Sequence, residues 1–74
     1  MFTFEVGKQY EPNDCSFAPI TVTKRTDKTI WVDNGTIQFM MRVKKDDDGN
    51  EYATDSTVPE NWRIAFTYQA KHII

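Results

Sequence analysis

Apolar and polar residues alternate with a period of two along most of this chain, which is the pattern of β-strands with one buried face. The alternation predicts a first strand that contains Phe2, Phe4 and Val6 and ends at Gly7. Residues 8–18 are rich in Pro, Asn, Asp and Ser and are predicted to form a loop.

Two further strands and a hairpin are predicted from the middle of the chain. One strand runs from Ile20 to Lys24, a turn follows at Thr26–Asp27, and the next strand contains Ile30 and Val32. Asn34–Gly35 then predicts a two-residue type I′ turn, the strongest short hairpin signal. This loop places Val32 opposite Ile37, Ile30 opposite Phe39, Trp31 opposite Gln38, Thr29 opposite Met40, and Asp27 opposite Arg42.

A second tight turn is predicted at Asp48–Gly49, with Lys45 opposite Tyr52 and Val43 opposite Thr54. The competing interpretation of this acidic stretch is a calcium loop. Asp46, Asp48 and Gly49 match part of the calcium-loop spacing, but a cation stands where the first ligand is needed. A solvated hairpin tip is therefore favoured, and no metal site is expected.

The C-terminal part predicts a short helical turn at Pro59–Asn61 and then a strand, because residues 62–70 alternate between apolar and polar. A helix over residues 60–72 is the alternative, since Trp62, Phe66 and Ile73 are roughly in helical phase. Taken together, the pattern predicts a single all-β domain over residues 1–74, an antiparallel SH3-like barrel of about five strands.

Composition limits the chemistry that this domain can perform. The one cysteine, Cys15, cannot form an internal disulfide, which favours a reducing, cytoplasmic environment. His72, the one histidine, is a poor partner base so near the C-terminus. No glycine-rich loop, Cys/His set, secretory signal or membrane-spanning stretch is evident. We therefore expect no enzyme activity, no cofactor and no membrane association.

Charge is unevenly distributed although the net charge is only −2. Six of the eight charged residues between Lys24 and Lys45 are basic, whereas all six between Asp46 and Glu60 are acidic. We expect a basic patch and an acidic patch on the folded molecule.

The exposed face of the central hairpin is the predicted binding surface. Tryptophan on the polar face of a strand, with methionine and arginine as neighbours, is typical of a protein interface. The predicted binding residues are Trp31, Met40, Arg42, Gln38, Thr29, Lys24 and Lys28. We therefore expect a non-enzymatic binding module that contacts a protein partner.

Three alternatives for this face stay open. The first is single-stranded nucleic acid, because aromatic side chains beside cations can stack bases and contact phosphates. The second is a homodimer that hides Trp31 against its symmetry mate. The third is a structural role, in which residues 8–18 or the C-terminal segment cover Trp31.

The segment Val22–Val32, VTKRTDKTIWV, and the Gly7–Tyr10 stretch, GKQY, resemble short uncharacterised proteins of Gram-positive gut bacteria and their phages and plasmids. The resemblance covers about the first 45 residues. It implies a small β domain and a mobile-element context, and it supplies no activity and no site residues.

Overall fold

The computed structural model describes all residues from Met1 to Ile74 and shows a closed barrel of six antiparallel strands. Each strand pairs with the next along the chain, and β1 pairs with β6 to close the barrel. The strands are β1 Gln9–Pro12, β2 Ile20–Arg25, β3 Thr29–Asp33, β4 Gln38–Lys45, β5 Glu51–Thr54 and β6 Thr67–Ile73. The predicted small antiparallel β-barrel is confirmed, with six strands instead of about five.

The predicted first strand is wrong. Residues 1–5 form no strand, and β1 lies at Gln9–Pro12, inside the predicted loop. The reason is that Phe4 alone of the early apolar residues is buried, at 1% exposure, whereas Phe2 and Val6 are half exposed. The N-terminal segment therefore acts as a plug that closes one end of the barrel instead of lining its wall.

The core fills the barrel interior with inward-facing side chains from every strand and from this plug. Phe4 packs edge-on against Tyr10, with 4.8 Å between ring centroids. The Tyr10 hydroxyl accepts a hydrogen bond from the Glu5 N–H (2.8 Å), which ties the plug to β1. The buried apolar residues are Phe4, Tyr10, Ile20, Val22, Ile30, Val32, Met41, Val43, Ala53, Tyr68 and Ala70.

The β3–β4 hairpin exists, but its predicted register is wrong by two residues: Trp31 pairs with Met40, and Thr29 pairs with Arg42. A type I′ turn needs positive φ at both central residues, and only Gly35 has it (φ +94°). The Asn34 side chain instead accepts hydrogen bonds from the N–H groups of Thr36 and Ile37, both 2.9 Å, and forms a longer loop. A two-residue shift preserves which face each side chain occupies.

The β4–β5 hairpin also exists, and its predicted register is wrong by one residue. Lys45 pairs with Glu51, and Val43 pairs with Ala53. Gly49 has positive φ (+81°) but Asp48 does not, so the loop is longer than the predicted two residues. A one-residue shift exchanges the two faces of a strand, and Glu51 and Ala53 consequently face the interior.

The C-terminal part follows the turn-and-strand interpretation, and the alternative of a helix over residues 60–72 is wrong. Glu60–Trp62 forms a 3₁₀ turn, as predicted near Pro59, and a strand follows only from Thr67 to Ile73. The apolar positions before Thr67 mislead, because Trp62 and Ile64 are 50% and 80% exposed. No helix in the structure has the length and apolar character that crossing a membrane requires.

Candidate functional site

A β-bulge in β2 decides which cation reaches the outer surface. Val22 pairs with Val32, but Lys24 pairs with Trp31, so the register shifts by one residue at Thr23. Without the bulge, strict alternation after the inward-facing Val22 would turn Lys24 inward and Arg25 outward. The bulge reverses both, and Lys24 lies on the outer face.

Trp31 lies at the centre of the outer surface of β2, β3 and β4. Its side chain is half-buried, and the Lys24 ammonium lies 4.8 Å from the ring centroid, a cation–π contact. The Thr23 hydroxyl donates to the Trp31 carbonyl oxygen (3.2 Å) and holds the bulge against β3. Trp31 is therefore neither a core residue nor a freely exposed ring.

Met40 is the neighbour of Trp31 across the hairpin and is 63% exposed. The other large apolar side chains that are exposed lie in loops, in the 3₁₀ turn or at chain ends, but Met40 lies inside a strand. A residue at such a position normally faces a core or is polar. The sheet thus presents an uncovered apolar side chain at the middle of its outer surface.

The structure brings six of the seven predicted residues together. We define the central hairpin face as the outward-facing residues Lys24, Thr29, Trp31, Gln38, Met40 and Arg42. Lys28 does not belong to this face. Its carbonyl oxygen accepts a hydrogen bond from the Val43 N–H (2.8 Å), and strand alternation places it on the same inward side as Ile30. Lys28 lies at the end of the barrel, beside a recess that includes Asp27 and Lys45.

A basic groove next to this face was missed by the sequence reasoning. It has a volume of about 590 Å³ and begins at Arg42, which it shares with the central hairpin face. Lys44 could have been found, because it follows Arg42 by two residues on the same strand face. Arg63 carried no such signal, since it follows the 3₁₀ turn and reaches the groove only because β6 pairs with β5. The groove is lined by Arg42, Lys44, Thr54, Ser56, Arg63, Ile64 and Thr67.

Arg25 and Glu51 form the one ion pair of the structure, at the plugged end of the barrel. Glu51 is 5% exposed; its Oε1 accepts from Arg25 Nη1 and from the Phe4 N–H, both at 2.8 Å. Burial raises the pKa of Glu51, but the hydrogen bonds from Arg25 and Phe4 and the guanidinium charge together lower it below its ordinary value. The acidic stretch is predicted to be a solvated hairpin tip, and this prediction is wrong for Glu51 at its C-terminal end.

The acidic stretch is a hairpin tip in the structure. Asp46 Oδ1 accepts hydrogen bonds from the N–H groups of Asp48 and Asn50, both 2.9 Å, and thereby shapes the turn. No group of three or more His, Cys, Asp or Glu side chains is arranged to hold a metal ion.

The acidic residues do not form the one patch that the sequence suggested. β5 runs from one end of the barrel to the other, so Asp46–Asp48 and Asp55 lie at opposite ends. The basic residues cluster better, because Lys24, Arg42 and Lys44 share the outer surface.

Comparison with protein-family models, curated proteins and solved structures found no match to this chain. The resemblance of Gly7–Lys45 to proteins of Gram-positive gut bacteria and their mobile elements stays a prediction. The functional argument consequently depends on the geometry of the central hairpin face and the basic groove.

Proposed function

We propose that this protein is a non-enzymatic binding module that contacts a protein partner through the central hairpin face. The observation that carries the proposal is Met40, an exposed apolar side chain inside a strand, flanked by Trp31 and Arg42. Fully burying an exposed methionine side chain contributes about 1.5–3 kcal/mol, and Met40, which is 63% exposed, leaves the larger part of this available for association. Met, Trp and Arg are also the residue types enriched at protein interfaces.

A reaction centre has less support than a binding face. Glu51 is the one buried charged side chain, and its oxygens are already engaged by Arg25 and the Phe4 N–H. The contacts of Glu51 with Arg25 and with the Phe4 N–H hold the N-terminal plug in place. The non-enzymatic part of the proposal follows from this prior engagement.

Single-stranded nucleic acid is the second candidate, and the unpaired cations of the basic groove favour it. Base stacking, however, needs an open aromatic face, and Lys24 already lies over the Trp31 ring. We therefore rank the protein partner first. A homodimer through the same face is the third candidate.

The proposal also includes three elements of context. The exposed thiol of Cys15 supports a reducing, cytoplasmic location. The closed barrel of short antiparallel strands supports an SH3-like architecture. The mobile-element context has the resemblance at Gly7–Lys45 as its support.

The test is selection of a random peptide display library on the immobilised wild-type protein. Binders should lose about tenfold in affinity against Met40→Ser, because truncating a central interface anchor costs more than 1 kcal/mol. Val6→Ser is the matched control, since Val6 is 56% exposed and lies outside this face. Binders that ignore Met40→Ser, or a failure to select any, would overturn the proposal.

The same preparation separates the other candidates. A short oligo-uridylate whose binding weakens steeply with salt would favour nucleic acid. Sedimentation velocity across a dilution series would reveal a homodimer. In the Trp62→Phe variant, acrylamide quenching of Trp31 that increases on dilution would assign the dimer to this face.

A further inference from the structure

The basic groove extends the central hairpin face away from Trp31. Arg42 and Lys44 project from β4, and Thr54 and Thr67 continue the floor across β5 and β6. Because Thr54 pairs with Thr67, these strands present a continuous surface at the point where the groove crosses them. A ligand that covers Met40 and extends past Arg42 would therefore enter this groove.

The hydroxyl groups of the floor are already engaged and fix the wall. Thr54 Oγ1 and Thr67 Oγ1 lie 2.8 Å apart, and the Thr67 hydroxyl also donates to the Arg63 carbonyl oxygen (2.7 Å). This contact ties the segment that carries Arg63 to the start of β6. The Arg63 side chain thus belongs to a positioned wall.

The three cations of the groove have no acidic partners. No acidic residue lines the groove, and the one ion pair of the structure is Arg25–Glu51, at the plugged end. Arg42, Lys44 and Arg63 therefore present uncompensated positive charge on a protein whose net charge is −2. Such a surface attracts an anionic segment and disfavours a basic one.

The spacing of these cations suits an extended peptide. Arg42 and Lys44 are two residues apart on one strand face, a repeat of about 6.4–6.8 Å. An extended partner chain presents alternate side chains at the same repeat, so carboxylates at every second residue can face both cations. Ile64, 80% exposed on the groove wall, and Met40 offer apolar contact at the groove's margins.

Nucleic acid fits the groove less well. No aromatic side chain lines it, whereas stacking on aromatic side chains is the usual means of holding single-stranded bases. The nearest aromatic ring of the central hairpin face is capped by Lys24. The charge therefore has a better partner in carboxylates carried by an extended chain.

We propose that the basic groove binds an extended acidic segment of the protein partner. Carboxylates at alternate positions would pair with Arg42 and Lys44, and an apolar side chain would contact Ile64 or Met40. This inference rests on the proposed function, because it names the partner chemistry for the same surface.

The peptides selected on the wild-type protein are sequenced, and their affinity for the double variant Arg42→Gln/Lys44→Gln is measured. We expect enrichment of Asp or Glu at alternate positions together with an apolar residue. The double variant should bind about tenfold more weakly, and the difference should shrink at high salt. Lys8→Gln/Lys71→Gln is the charge-matched control, since both lysines are exposed and lie outside the groove.

The outcomes distinguish the two proposals. Peptides that depend on Met40 but show no acidic preference, or that bind the double variant unchanged, overturn this inference and leave the proposed function standing. Failure to select any peptide overturns both. Salt-sensitive binding of oligo-uridylate without peptide binding replaces both with the nucleic-acid candidate. Self-association that Arg42→Gln/Lys44→Gln abolishes overturns the inference in favour of a second copy of this chain.

Discussion

Replacing Glu51 with Gln tests the central polar contact of the fold. Arg25 donates from Nη1 to Oε1 (2.8 Å) and from Nη2 to Oε2 (3.2 Å), while the Phe4 N–H donates to the same Oε1 (2.8 Å). Arg25 Nη1 also donates to the Phe4 carbonyl oxygen (2.7 Å). The pair therefore anchors the N-terminal plug as well as joining β2 to β5.

The size of the effect follows from what each substitution leaves behind. Gln keeps the shape and one acceptor, but it removes the charge from two hydrogen bonds and directs an amide N–H toward the guanidinium. Charge assistance is worth about 1 kcal/mol per bond, so Glu51→Gln should destabilise by about 2 kcal/mol. Glu51→Ala also orphans the Phe4 N–H, and we expect about 3 kcal/mol. That is the low end for a broken buried pair, because the Arg25 side chain is 23% exposed.

Urea unfolding at neutral pH, followed by tryptophan fluorescence, measures both variants. A domain of this length has about 4–11 kcal/mol of stability, so Glu51→Gln should stay folded. Asp47→Asn is the matched control, since Asp47 is exposed at the hairpin tip and the same change should cost less than about 0.5 kcal/mol. If Glu51→Gln cost no more than Asp47→Asn, the buried pair would not stabilise this fold.

The same pair predicts an acid-sensitive stability. The pKa of Glu51 is lower in the folded chain than its ordinary value of about 4.3, so the unfolded state binds the proton first as pH falls. The stabilisation is complete above that ordinary value and is lost as pH falls through the folded pKa. The unfolding midpoint of the wild type should therefore decline more steeply below about pH 4 than that of Glu51→Gln.

Three further predictions concern the plug, the tip and the binding face. Tyr10→Phe removes the hydroxyl that accepts from the plug and should lower the unfolding free energy by about 1–2 kcal/mol in urea titrations; an unchanged midpoint would contradict this. Gly49→Ala forces a side chain to φ +81° and should lower the thermal midpoint, with a cost of at least about 1 kcal/mol, whereas equal stability would show that the turn relaxes. Lys24→Ala in the Trp62→Phe background should increase acrylamide quenching of Trp31, and unchanged quenching would place the cation away from the ring in solution.

The all-β barrel could be predicted because the period-two pattern persists through most of the chain. The β3–β4 hairpin kept its faces despite the wrong register, since a shift of two residues leaves Trp31 and Met40 on the same side. The β4–β5 hairpin did not, because a shift of one residue turned Glu51 inward. Turn type thus mattered more than strand pattern for the position of this carboxylate.

The candidate site was only partly predictable for a related reason. Alternation within one hairpin identified Trp31, Met40 and Arg42 as neighbours, because those residues lie on strands adjacent along the chain. Arg63 joins the basic groove only after β5 and β6 pair, a contact between elements that no local pattern encodes. The N-terminal plug was missed because Phe2 and Phe4 alternate like a strand although Phe4 alone is buried.

Two irregularities, each of one residue, bring Arg25 and Glu51 together: the bulge at Thr23 and the extra loop residue between Lys45 and Glu51. Deletions in β2 test the first of them. Thr23 is the extra residue of the bulge between Val22 and Lys24. Deletion of Thr23 alone makes β2 alternate regularly and keeps the same partners, with Lys24 opposite Trp31, so Arg25 stays inside. Deletion of Thr23 and Lys24 together places Arg25 directly after the inward-facing Val22, which turns Arg25 outward and leaves Glu51 unpaired. The double deletion should therefore cost about 3–5 kcal/mol for a broken buried pair, whereas deletion of Thr23 alone should cost about 0.5–1.5 kcal/mol for its lost hydrogen bond to the Trp31 carbonyl oxygen.

Deletion of Asp47 is a second control, because it also removes one residue beside this pair. It shortens the β4–β5 loop to Asp48–Gly49, the two-residue turn that the sequence favours, while Lys45 can still pair with Glu51. Glu51 therefore stays inside, and we expect a loss of no more than about 1–2 kcal/mol from the altered tip. Urea unfolding of the three deletions decides the matter: if the double deletion of Thr23 and Lys24 were as stable as either single deletion, the number of residues between Val22 and Arg25 would not control where Arg25 points.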